Sequence, residues 1–121
     1  MAEGSLKVFV YTGKQTVPIE EAEVILITDG KTSGIRLTDS SGLAGPFFIE
    51  APPVETGLSP GAILPYKTVD LVVSSPGFQS ARFNGIRIFP ERESVEAVEL
   101  IPLPEGVRES TVIYNLKESR L

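Results

Sequence analysis

Pro18-Ile19-Glu20-Glu21-Ala22-Glu23-Val24-Ile25-Leu26-Ile27-Thr28-Asp29-Gly30 is the segment on which a helical and a β architecture diverge. Its first five residues can open a helix, with Thr16 as the cap and proline early in the first turn. The continuation opposes one. Val24 to Thr28 is rich in β-branched residues and too short before Asp29-Gly30 to sustain a helix. Ala22, Val24 and Leu26 alternate with Glu23, Ile25 and Ile27, a period of two, and Asp29-Gly30 is a two-residue hairpin signal. The segment reads as a turn, a strand and a tight hairpin.

The same period extends in both directions. Upstream, Leu6, Val8 and Val10 alternate with Lys7, Phe9 and Tyr11, giving a strand from about Ser5 to Thr12 and then a turn from Gly13 to Pro18. Downstream, Ile35 and Leu37 share a face of a third strand, and Thr38-Asp39-Ser40-Ser41-Gly42 is dense in turn formers that hydrogen-bond their own backbone. Phe47-Phe48-Ile49 makes a short strand that stops at Ala51-Pro52-Pro53, because proline donates nothing to a ladder. Four prolines and two glycines between Ala51 and Pro65 describe an extended loop.

Val69, Leu71 and Val73 predict a central strand, turned by Ser75-Pro76-Gly77. Ala81 to Phe89 is the next, interrupted at Asn84-Gly85 by a bulge or tight bend, and Val95 to Leu103 is the seventh. Short strands at this spacing without a helical period predict an all-β protein, a seven-stranded Greek-key β-sandwich over residues 1–104. A C-terminal tail, residues 105–121, follows. Within it Thr111-Val112-Ile113-Tyr114 is β-prone, and can pair with its own sheet edge, stay disordered, or exchange with a neighbour.

The 121 residues suit one domain and one core. A hydrophobic fraction of 41% with 22% charged residues is an ordinary folded composition. The net charge of -5, with Lys and Arg scattered, argues against nucleic acid as a partner. The longest apolar run, Val24 to Ile27, is too short to cross a bilayer, and Met1-Ala2-Glu3-Gly4 lacks the basic and apolar regions of a signal peptide, so the expected location at synthesis is cytoplasmic. The chain has neither Cys nor His. That removes disulfides, thiolate metal sites, Ser-His-Asp and Cys-His relays and the usual zinc ligands, and no cofactor is expected.

Four stretches resemble, in order, the signatures of carboxypeptidase regulatory-like domains: Pro18 to Val24, Thr38 to Gly42, Val72-Val73-Ser74-Ser75-Pro76-Gly77-Phe78 and Val98-Glu99-Leu100. The resemblance covers about Ser5 to Leu103 and implies a transthyretin-like, prealbumin-type sandwich. A narrower set is similar to modules of clostridial-type spore cortex-lytic and peptidoglycan-binding proteins: Glu50 to Glu55, Leu58-Ser59-Pro60-Gly61, Pro65-Tyr66 and Leu100-Ile101-Pro102-Leu103-Pro104-Glu105. In those proteins the module is accessory and other domains carry lysis. The resemblance therefore implies a non-catalytic accessory or binding module of spore-cortex or cell-wall machinery. The alternative is a structural, assembling protein of a spore coat, pilus or phage particle.

Chemistry known from related sandwiches finds little footing. Hydroxyisourate hydrolases of this fold need histidines and a terminal Tyr-Arg-Gly-Ser, whereas this sequence ends Glu118-Ser119-Arg120-Leu121. The acidic residue and Asn of pilus-type isopeptide sites have no counterpart in Leu71 to Ser75 or Val98 to Ile101. Glu20, Glu21, Glu23 and Glu50 qualify as glycosidase carboxylates by type alone, and a Ca²⁺ site at Asp39 to Gly42 would have one firm carboxylate. Tyr11, Tyr66 and Phe89 are the rings to expect at the surface. The binding residues expected are Val54 and Leu58 in the proline-rich loop, Tyr66 at its end, and Tyr114 in the tail. The expected partner is a protein or a cell-wall polymer, or a second copy meeting an edge strand or the tail.

Overall fold

Alternation in the sequence becomes two-sidedness in space. The computed structural model describes residues 2–14, 16–51 and 66–115, among which there are nine β-strands and no helix. They are β1 (Ala2–Thr12), β2 (Val17–Pro18), β3 (Glu23–Thr28), β4 (Lys31–Leu37), β5 (Leu43–Ala51), β6 (Lys67–Ser74), β7 (Ser80–Ile88), β8 (Glu93–Glu99) and β9 (Thr111–Asn115). One sheet is built around β1, which pairs antiparallel with β5 and β2 and parallel with β8. The other runs β4-β3-β6-β7-β9. The inner faces of the two sheets enclose a single core that includes Leu6, Val8, Val10, Val24, Leu71, Val73 and Val98, all fully buried. The all-β sandwich is thus what the strand pattern predicts.

The divergent segment forms no helix. Val17–Pro18 adds to the end of β1, Ile19 N–H donates to Val10 O at 3.0 Å, and Glu21 takes a left-handed φ of 63° on the way into β3. Thr38 holds this turn from across the sheet. Its hydroxyl donates to Ile19 O at 2.6 Å and accepts from Ala22 N–H at 2.9 Å, so the buried polar group is fully paired. Asp29 and Gly30 both have positive φ, 52° and 78°, the geometry of a type I′ hairpin between β3 and β4.

Several boundaries shift from those expected. β1 starts three residues before Ser5, since Ala2 to Gly4 pair with Ala51 to Ile49 of β5. The strand expected over Val95 to Leu103 runs Glu93–Glu99, and its exit instead lies along the Pro76-Gly77 turn. There Gln79 N–H donates to Ile101 O at 2.7 Å and Leu103 N–H to Gly77 O at 3.0 Å. Asn84-Gly85 is a bulge: the β6–β7 register shifts between Val69 and Leu71, and Gly85 has φ 85°. β6 lies centrally, with Val69, Leu71 and Val73 buried. Two short strands, β2 and β9, supplement the seven expected. The loop of residues 52–65 lies outside the described residues.

Candidate interaction surface

Residues directly opposite one another on paired strands share a face. In the five-stranded sheet, Ile35 pairs with Ile25, Ile25 with Val72, Val72 with Arg82, and Arg82 with Ile113. These five form one row across all five strands on the outer face, opposite the core set Val24, Leu26, Leu71 and Val73. Ile35 is 58% exposed and Leu37, in the adjoining row, 61%. Ile27 lies on the same side of β3, where it pairs with Asp70. β3 is thus aliphatic on both faces, while only one of them meets the other sheet. This row was not among the expected site residues.

Within the row, Arg82 belongs to a polar network on the same face. Arg82 donates through NH2 to Asp70 Oδ2 at 3.3 Å and through Nε to Asn84 Oδ1 at 2.8 Å, and Asp70 Oδ1 accepts from Gly85 N–H at 2.9 Å. Asn84 Nδ2 in turn donates to Asn115 Oδ1 at 2.9 Å. One network therefore joins the bulge of β7 to the last strand.

β9 lies parallel to β7, in register from Ser80 opposite Thr111 to Asn84 opposite Asn115. The Phe83 and Tyr114 rings stack with centroids 4.7 Å apart and planes 11° from parallel. Beside it a groove of about 420 Å³ is lined by Glu21, Glu23, Phe78, Leu103 and Arg108, among others. A wider groove of about 590 Å³ opens between β4 and β5, where Arg36 sits 5.6 Å above the Phe47 ring.

Of the four expected binding residues, Val54 and Leu58 lie outside the described residues. Tyr66 packs against Phe89 at 5.7 Å, with the Arg87 guanidinium 5.0 Å from its ring. Tyr114 stacks on Phe83, six residues earlier along β7 and so roughly 20 Å away. The two tyrosines do not form one site. Tyr11 is half-buried beside Phe9 at 6.2 Å, and Phe89 is half-buried too, whereas Phe48 is 65% exposed.

The acidic candidates also stay apart. Glu50 stands opposite Glu3 on β5, Glu23 is on the outer face of β3, and Glu20 and Glu21 are in the turn before it. Asp39 Oδ1 accepts the Ser41 and Leu43 N–H groups, as a turn former does. Among the described residues no three His, Cys, Asp or Glu side chains gather as a metal site, and no helix is long and apolar enough to cross a membrane. Glu96, half-buried on β8, has its carboxyl pushed above the ordinary carboxylate range by desolvation.

The arrangement defines a two-sheet β-sandwich with an aliphatic outer face and an added edge strand. No family model matches the chain, and no curated protein matches it in sequence. Among solved structures it is similar to GBS52, the minor pilin of the Gram-positive pathogen Streptococcus agalactiae, with a TM-score of 0.51 and 14% identity. The alignment covers 88% of this chain and 47% of that one, so the chain spans about half the length of the pilin. At that identity the likeness is one of fold.

Proposed function

We propose that the chain is a non-catalytic protein-binding module that docks through the outer face of its five-stranded sheet. The aliphatic row Ile35-Ile25-Val72, with Leu37 and Ile27 beside it, carries this reading. Exposed Ile35 and Leu37 beside half-buried Ile25, Ile27 and Val72, flanked by the Arg82–Asp70 pair and Glu23, have the anatomy of a protein interface, an apolar centre and a polar rim. Flat aromatic rings would serve a glycan better. The partner is a protein presenting a complementary aliphatic surface. The motifs that resemble those of carboxypeptidase regulatory-like and spore-cortex modules, together with the sandwich, favour a prealbumin-type domain acting in spore-cortex or cell-wall machinery.

Co-sedimentation tests the reading. The full chain should be retained by cell envelopes that keep their proteins, should lose that retention on Ile35→Asp plus Leu37→Asp, and should ignore protein-stripped peptidoglycan. Retention by stripped peptidoglycan that is indifferent to these substitutions would overturn it, as would release of reducing ends or muropeptides by the purified chain. A second reading, a structural protein that assembles with copies of itself, is favoured by one observation: the last strand completes a sheet edge from outside the core.

A further inference from the structure

Among the described residues, every buried core side chain lies between Leu6 and Leu100. After Leu100 the chain is tied to the Pro76-Gly77 turn as far as Leu103, and every residue from Pro104 to Glu109 is exposed. None of the five residues of β9 is buried. The strand is held by edge contacts: the parallel ladder, the Ser80 N–H to Ser110 O bond at 2.8 Å, the Phe83–Tyr114 stack and the Asn84–Asn115 bond. In both of those bonds the body donates, through Ser80 N–H and Asn84 Nδ2, and the C-terminal segment accepts. Asn84 is itself oriented by Arg82, and Arg82 by Asp70, so the docking edge is arranged by residues that do not depend on β9 for their place.

We propose that β9 exchanges between copies, so that the β7 edge of one chain receives the Thr111–Asn115 strand of a second. This deepens the assembly reading, and places the separable segment after Leu103. With its own β9 lifted away, β7 presents unpaired N–H and C=O groups, which are a template for another strand. The strand that fits its ring and its amide is the one this same sequence carries. Residues 104–110, if extended, span about 23 Å at roughly 3.3 Å per residue, enough to leave one β7 edge for a neighbour's. Reciprocal exchange closes a dimer, and head-to-tail exchange builds an open chain.

The absence of cysteine makes the test direct. Full-length Asn84→Cys protein is mixed with full-length Asn115→Cys protein of different tag mass, incubated to equilibrium and treated with a short bis-maleimide. Exchange yields the mixed covalent dimer in roughly ten-fold excess over a control pair of Asn84→Cys with Lys31→Cys, whose second position is on the opposite sheet edge. Adding Tyr114→Ala to the donor chain should lower the yield. Adding Ile35→Asp plus Leu37→Asp should leave it unchanged, so this inference and the outer-face reading fail separately. Mixed dimer at the control level at the highest soluble concentration, while the Asn84→Cys/Asn115→Cys double variant links fully within one chain, overturns the proposal.

Discussion

β6 and β9 flank β7 on its two sides and are built from similar residues, Val69-Asp70-Leu71-Val72-Val73 and Thr111-Val112-Ile113-Tyr114-Asn115. β6 buries Val69, Leu71 and Val73 completely or nearly so, while β9 buries nothing and Tyr114 stays 37% exposed even with its ring stacked on Phe83. β-Propensity makes both segments strands. Only the presence of an opposing sheet makes one of them core. Stability should therefore be concentrated in β6 and its neighbours, and thin at β9.

The sharpest challenge to this contrast is a pair of truncations. Leu71→Ala should cost about 2–5 kcal/mol in urea unfolding, whereas Ile113→Ala should stay within about 0.5 kcal/mol. Comparable losses would mean that β9 belongs to the cooperative core. Next comes the buried hydroxyl that fastens the turn before β3. Thr38→Val leaves Ile19 O and Ala22 N–H without their partner and should cost about 1–3 kcal/mol, while Thr38→Ser should recover most of it. A neutral Thr38→Val variant would show that the turn is held by its backbone bonds alone.

At the edge the expected effects are smaller. Tyr114→Ala removes a ring stack worth about 0.5–1.5 kcal/mol and should speed hydrogen exchange at the Ser80 amide without changing exchange in β6. Acceleration spread over both strands would erase the distinction between them. Smallest is Glu96 on β8. Its carboxyl is raised by burial in the folded state, so the native protein holds the proton more tightly than the unfolded chain. Stability should then fall as pH rises from the ordinary carboxylate value through the raised one. Glu96→Gln should raise the melting temperature at neutral pH, and its advantage should shrink on acidification. An advantage that is constant with pH would assign it to packing instead.

Much of the scaffold was legible because its signals are local. Ala22, Val24 and Leu26 alternate over adjacent residues, Asp29-Gly30 states its turn type, and Asn84-Gly85 marks its bulge. Alternation shows that Ile35 and Leu37 share a face, but not which face has a sheet opposite it, so their exposure was not legible. A signal was nonetheless present: Ile25 and Ile27 make β3 apolar in both phases, a sign that a strand has a second surface to cover. The outer row itself gathers residues from five strands, an adjacency that exists only after pairing. Thr38 was legible as a turn former, yet its hydroxyl reaches Ile19 and Ala22, far back in the chain. Tyr66 at the end of a loop and Tyr114 in a β-prone tail are legible as positions, but not that their rings pack on Phe89 and Phe83, six residues apart in the chain.

The position of β1 has a consequence for biosynthesis. β1 precedes β5 and β8 in the chain but takes its place between them, and its register with β8 joins Ser5 to Glu93 and Tyr11 to Glu99. On a ribosome β1 can pair with β2 and β5 once Ala51 has emerged, but its β8 side stays open until Glu99 follows. The β3-β4 hairpin and the β3-β6-β7 antiparallel run can meanwhile form from residues closer together in the chain. Closing the sandwich is then a late event of high contact order, and slow for that reason. A nascent chain stalled before Glu93 would lack the neighbour that covers one whole side of its first strand.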